Sequence, residues 1–156
     1  MIAELGLAAL WLAAALAALQ LVYGALAART EGEGSEVALI TRPAAVLQGA
    51  LAAFSFAMLI WVFAITDLSV KLVATNSHAM KPMVFKIAGA WGNHEGSMLL
   101  WVTVMALAGG LIGFAERRLP ERTMQATLAA QGFVALGFYA FLLLSSNPFE
   151  RLPIPA

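Results

Sequence analysis

Apolar residues in this chain fall into four long blocks, with the polar residues gathered between them, and neither the strand period of two nor a one-faced helical period runs through the blocks. A helix crossing a hydrocarbon core of ~30 Å needs about 20 mostly apolar residues. The pattern predicts spans over about 2–28, 44–66, 97–115 and 124–145. Within the first block only Glu4 and Gln20 are polar, and Arg29 ends it. The second follows Arg42-Pro43, where proline suits the first helical position because its missing N–H would be unpaired there. Trp61 and Phe63 near its far end mark an exit at headgroup level. The third and fourth are joined by the hydrophilic turn 116–122, which makes them an antiparallel pair. The fold class expected is all-α, a polytopic membrane bundle of about four transmembrane helices forming one domain over 1–156.

The first block also admits a signal-peptide reading, since Ala25-Leu26-Ala27 resembles a cleavage site. No Lys or Arg precedes it, and the apolar stretch exceeds the ~7 to 15 residues of a signal core, so a retained helix is preferred. Gly109 with Gly113, Ala13 with Ala17, and Gly49 with Ala53 recur at the spacing that lets helix backbones approach closely. Gln20, Gln48 and Gln131 lie at membrane depth, where an unpaired amide costs on the order of a few kcal/mol, so each is expected to face another helix.

Between the second and third spans lies a connection over 67–96 too long for a turn. Wound as a helix from about Met80, with Pro82 in its first turn, it places Met80, Met83, Val84, Ile87 and Trp91 on one stripe, with Lys81 and Lys86 elsewhere. That pattern predicts a short helix lying in the membrane interface.

Composition agrees: 62% hydrophobic and 12% charged residues are too apolar for a water-solvated surface. A formal net charge of +0, with no basic run beyond Arg117-Arg118, excludes a nucleic-acid partner. A count of 0 Cys excludes disulfides, thiolate metal sites and thiol redox chemistry in this chain. Placing the N-terminus outside puts Arg29, Arg42, Arg117, Arg118 and Arg122 in the cytoplasm, against Lys71, Lys81, Lys86 and Arg151 outside. Both termini and the 67–96 loop are then external.

The chemistry concentrates where that loop meets the third span, in Trp91-Gly92-Asn93-His94-Glu95-Gly96-Ser97, followed by Trp101. Asn93 or Ser97 can cap the helix and Glu95 suits the positive end of its dipole, so capping alone accounts for part of the string. The functional reading makes Lys81, Lys86, His94 and Glu95 an external surface beside Trp91 for an anionic, planar, apolar ligand or a partner protein. His94 and Glu95 are adjacent and do not form the i, i+4 pair of a metalloprotease helix, so neither a metal site nor catalytic residues are assigned. His78 and His94 are the 2 histidines; ligation of haem iron and simple contact with water and headgroups are both open, and the simpler one is preferred. The spans hold no ionisable companion for their glutamines, which disfavours a transporter.

Asp67-Leu68-Ser69-Val70, Val73-Ala74, Lys86, the string from Trp91 to Ser97, Leu99-Leu100-Trp101 and the tail Ser146–Arg151 together resemble the CcmF family, the haem-lyase subunits of bacterial cytochrome c maturation. The resemblance runs over essentially the whole chain and is that of the N-terminal part of the family. It implies a protein of the bacterial inner membrane that takes haem from the chaperone CcmE and attaches it to apocytochrome c presented by CcmH and CcmI, on the periplasmic side. The family's tryptophan-rich segment and haem-ligating histidines lie beyond this sequence, so haem is the implied cofactor without ligands here. Pro148, Pro153 and Pro155 give the end an extended, turn-like character, as of a chain stopping within a loop, and the sequence reads as a fragment or incomplete gene product. The alternatives are the related haem-lyase subunit for nitrite reductase maturation, a membrane scaffold, and a small transporter.

Overall fold

The computed structural model describes residues 1–29 and 38–153. Six helices follow in order: α1 (Ile2–Arg29), α2 (Ala38–Ala64), α3 (Lys71–Asn76), α4 (Met83–Gly89), α5 (His94–Ala115) and α6 (Glu121–Leu144). Among the described residues the one strand-type pairing is an isolated antiparallel bridge between Val70 and Arg151. Four helices, α1, α2, α5 and α6, are long and apolar enough to cross a membrane. Even α5, with 22 residues, reaches about 33 Å at ~1.5 Å per residue. The protein is an all-α, multi-pass membrane protein.

α1 packs on α2 and α6, α2 on α5, and α5 meets α6 less extensively, closing a four-helix ring. Neighbours run antiparallel, so Ile2, Ala64, His94 and Leu144 share one end, here the loop end, while Leu39, Ala115 and Glu121 share the other, the hairpin end. Lipid supplies little hydrophobic drive between helices, so close backbone approach and internal hydrogen bonds hold them together. A Cβ added at Gly49 would stand 2.8 Å from the Ala106 carbonyl oxygen, so α2 and α5 touch backbone to backbone there. Thr103 Oγ1 donates to the Ala52 carbonyl at 3.3 Å across the same seam. Ser55 Oγ donates to the Gly6 carbonyl at 2.9 Å, tying α2 to α1.

The glutamines at membrane depth each meet a neighbouring helix. Gln20 Nε2 on α1 donates to the Leu128 carbonyl of α6 at 2.6 Å and also to Gln131 Oε1. Gln48 Nε2 on α2 reaches Tyr139 Oη on α6 at 3.4 Å. At the hairpin end Arg42 spans two helices, donating to the Glu116 carbonyl at 2.8 Å and pairing with Glu121 at 3.3 Å. Its cation sits against the negative end of α5 and the first turn of α6.

Several boundaries differ from expectation for identifiable reasons. α2 begins at Ala38 rather than near 44, with Pro43 inside the helix. The proline withdraws one N–H from the Leu39 carbonyl, but Leu39 and Pro43 are exposed near the polar end, where water satisfies that oxygen. α5 starts at His94 rather than 97, because Asn93 caps it. Phe63 is no headgroup anchor: it is fully buried, and a Cβ on Gly89 of α4 would lie 2.9 Å from its ring, whereas Trp61 is 56% exposed. α2 ends with Thr66 at φ 56°, its N–H on the Phe63 carbonyl and the Asp67 N–H on that of Val62. This is a Schellman turn with a β-branched residue where glycine is usual, a strained choice that aims Asp67 at the loop end.

Gly49→Val is expected to destabilise the bundle by roughly 1 to 3 kcal/mol, because its side chain meets the Ala106 backbone rather than a flexible group. Reversible unfolding in mixed micelles measures it; an unchanged midpoint would show that the α2–α5 seam does not need this contact.

Candidate functional site at the loop end

The string from Trp91 to Ser97 is a tight reversal between α4 and α5. α4 ends with Ala90 and Gly92 N–H groups returning to the Ile87 and Ala88 carbonyls, both at 3.0 Å. Asn93 then works in both directions: its Oδ1 accepts from the Gly96 N–H at 2.7 Å, capping α5, while its Nδ2 donates to the Gly89 carbonyl at 2.7 Å, closing α4. Ser97 Oγ donates to the Trp91 carbonyl at 2.6 Å, so Ser97 ties the turn and Asn93 alone is the cap. Gly96 is required by contact, since a Cβ there would lie 1.8 Å from the Ala90 carbonyl oxygen. Much of the motif therefore fixes the angle at which α5 enters the membrane.

What this turn displays is divided between two sides. Trp91, 40% exposed, leans on Phe56 of α2 with ring centroids 6.4 Å apart. His94 turns towards α6, its ring edge against Phe141 at 5.8 Å and its Nδ1 at 3.4 Å from Ser146 Oγ. Glu95 lies in the first turn of α5, where the helix dipole favours a carboxylate. Lys81 folds back, its Nζ donating to the Asn76 carbonyl at 2.9 Å, and Lys86 sits in the last turn of α4. Trp101, two turns into α5, is exposed on the flank of the bundle. Among the described residues no hydrogen bond, ion pair or ring contact joins any two of Lys81, Lys86, Trp91, His94 and Glu95. α4 begins at Met83, with Pro82 as the preceding cap residue, so of the expected stripe Met80 precedes the helix and Trp91 follows it; Met83 and Val84 are exposed, Ile87 is half-buried, and Phe85, outside the stripe, is exposed too. His78 is exposed in the connection between α3 and α4.

The larger construction at this end is a clasp that sequence reasoning did not assemble. The tail after α6 folds back across the bundle: Lys71 N–H donates to the Glu150 carbonyl and Leu152 N–H to the Ser69 carbonyl, each at 2.9 Å. Phe149 is buried against Gly6 of α1. Arg151 gathers three partners, donating through Nε to Glu4 at 2.9 Å, reaching Asp67 at 3.4 Å, and donating to Ser69 Oγ. Lys71 pairs with Glu150 at 3.0 Å. Opposite charges assigned to one side of the membrane were the available signal, but Glu4 and Arg151 are 147 residues apart and no periodicity links them. The Ser69 hydroxyl holds the Asp67 carboxyl below its ordinary range, partial burial opposing, with the Ser69 N–H and the Arg151 charge adding to the fall.

The loop-end residues do not match the needs of a haem group. A bound haem needs axial ligands and cations converging on one apolar slot. Here His94 faces Ser146 and Phe141 on one flank, and Trp91 faces Phe56 on the other. Among the described residues no three His, Asp or Glu side chains cluster as metal ligands. The described residues do not compose a haem site.

No family model matches the chain. Over 156 residues, 100% of this chain and 23% of the relative, it is 46% identical to the cytochrome c-type biogenesis protein CycK of Rhizobium meliloti. It is 41% identical over 97% of its length to the cytochrome c-type biogenesis protein CcmF of Pseudomonas aeruginosa, again covering 23% of that protein. Against the cytochrome c-type biogenesis protein NrfE of Haemophilus influenzae the identity is 39% over 65% of this chain and 16% of the relative. Among solved structures it matches the cytochrome c heme lyase CcmF with a TM-score of 0.89 at 25% identity, over 98% of this chain and 25% of that one. The chain thus spans about a quarter of the length of the curated relatives it matches.

A depressed carboxyl pKa contributes stability fully present above its unfolded value, about 3.9 for Asp, and lost as pH falls through the folded value below it. Hydrogen-exchange protection of the Lys71 and Leu152 amides is therefore expected to persist down to about pH 4 and to fade only in stronger acid. Arg151→Gln is expected to remove it at neutral pH; full protection in that variant would show that the clasp does not depend on the guanidinium.

Proposed function

The chain belongs to the CcmF family of cytochrome c-type biogenesis proteins, and from that premise we propose that it supplies the membrane platform of a haem-ligation subunit rather than its haem-holding centre. The observation that carries this reading is the 46% identity to CycK over the entire chain, together with the fold match to a heme lyase at TM-score 0.89. In this reading the bundle sits in a bacterial inner membrane with the loop end periplasmic and the arginine-rich hairpin end cytoplasmic. The loop end serves as a docking surface in a machinery where haem passes from the chaperone CcmE to apocytochrome c presented by CcmH and CcmI.

The geometry supports a platform in two ways. The α4–α5 turn is held by hydrogen bonds from Asn93 and Ser97, so Trp91, His94 and Glu95 are presented at fixed positions where α5 begins. The clasp binds the tail to α1 and to the 67–71 segment, so the surface around them moves as one unit. His94 and Trp91, on opposite flanks of α5, are suited to two different contacts rather than to one ligand. The exposed face of α4, from Met83 to Phe85, is suited to lie in the periplasmic headgroup layer.

Replacing His94 and Glu95 together by alanine, in cells that depend on this protein for cytochrome c maturation, is expected to lower covalent haem on a reporter cytochrome several-fold at unchanged protein level. Neither side chain takes part in the hydrogen bonds that close the turn, so the bundle should persist. A normal haem-stained yield would leave the scaffold reading in possession.

A further inference from the structure

Ten of the eleven described glycines stand where an added Cβ would meet another group at 3.3 Å or less. Gly137 on α6 is the exception: a Cβ there would find nothing within 4 Å. Glycine weakens a helix interior by about 1 kcal/mol relative to alanine. At the other ten positions close packing accounts for it, and at Gly137 nothing in the described structure does.

Gly137 is also the floor of a cavity. An apolar groove of about 620 Å³ runs along α6, with one wall residue each from α1 and α5, lined by Leu21, Met98, Phe133, Val134, Gly137 and Phe141 among others. Phe133, Gly137 and Phe141 follow one another at intervals of four, so they stand in one row on the helix face. The row reads large, absent, large, which is a hole between two ridges. Phe133 and Val134 are 66% and 46% exposed. A fluid acyl chain coats any apolar helix and has no use for a gap at one fixed height, whereas a packed helix does.

We propose that the groove centred on Gly137 seats a membrane-spanning helix from the larger part of the family's polypeptide that this chain does not cover. The inference rests on family membership, in which about three quarters of each matched relative lies outside the region represented here, and not on the haem-ligation role. The seated helix is apolar along the groove, since the lining offers no hydrogen-bonding side chain, and a bulky side chain enters between Phe133 and Phe141.

The test is photo-crosslinking in native membranes with the complete polypeptide set, using benzoylphenylalanine in place of Val134. The expected product joins this residue to a peptide from a membrane span outside residues 1–156, carried in the same chain or in a separate one. Gly137→Leu is expected to reduce that product several-fold and Gly137→Ala to reduce it little, while neither lowers the unfolding midpoint of the protein in detergent. Adducts only to lipid, to a small molecule or to a second copy of residues 1–156, or no adduct at all, would overturn the proposal, as would a product insensitive to Gly137→Leu. Haem on the reporter cytochrome is read in the same cells, so normal maturation without the crosslink defeats the seated helix and leaves the maturation role standing.

Discussion

In hydrocarbon no water is present to satisfy a backbone amide, so every N–H and C=O must find its partner within the protein. This forces the four long segments into helices, and it decides how they associate. With lipid as apolar as the side chains, helices gain by touching closely and by pairing the few polar groups they carry. α2 lies on α5 at Gly49, Ser55 bonds to the Gly6 carbonyl of α1, and Gln20 and Gln48 reach across to α6. The ring of helices follows from these contacts, and the two ends of the bundle are placed by the ring.

Where the chain leaves the hydrocarbon the same requirement is met by side chains. Asn93 and Ser97 satisfy groups that the α4–α5 turn would leave bare, and Arg42 does so for the end of α5. The loop end is thereby given a fixed shape, completed by the tail that Arg151 and Phe149 pin across it. A rigid surface at the membrane boundary suits the proposed role in positioning other components.

The existence and number of the membrane helices were legible because length and uninterrupted hydrophobicity are local properties. The glutamines were equally legible, since an amide in lipid has to turn inwards. Boundaries were less so: Pro43 looked like a first helical residue, yet exposure at the polar end lets α2 extend past it. Phe63 looked like a headgroup anchor, and the return of α4 over it, which no local pattern announces, made it core. In the candidate site, the caps and the entry angle of α5 could be read from the order of residues. The separation of Trp91 from His94, and the clasp linking Glu4, Asp67 and Arg151, depend on which helices adjoin and so lay beyond reach.

The account turns on the loop end and the hairpin end lying on opposite sides of a bilayer, with the Trp91–Ser97 turn on the outer side. Because the chain has 0 Cys, single cysteines replacing Lys86 and Arg118 can be labelled in intact cells with a membrane-impermeant thiol reagent admitted to the periplasm. The account predicts that the cysteine at 86 is labelled at once and that the cysteine at 118 is labelled only after the inner membrane is opened. Labelling of 118 in intact cells, or protection of 86, would contradict it.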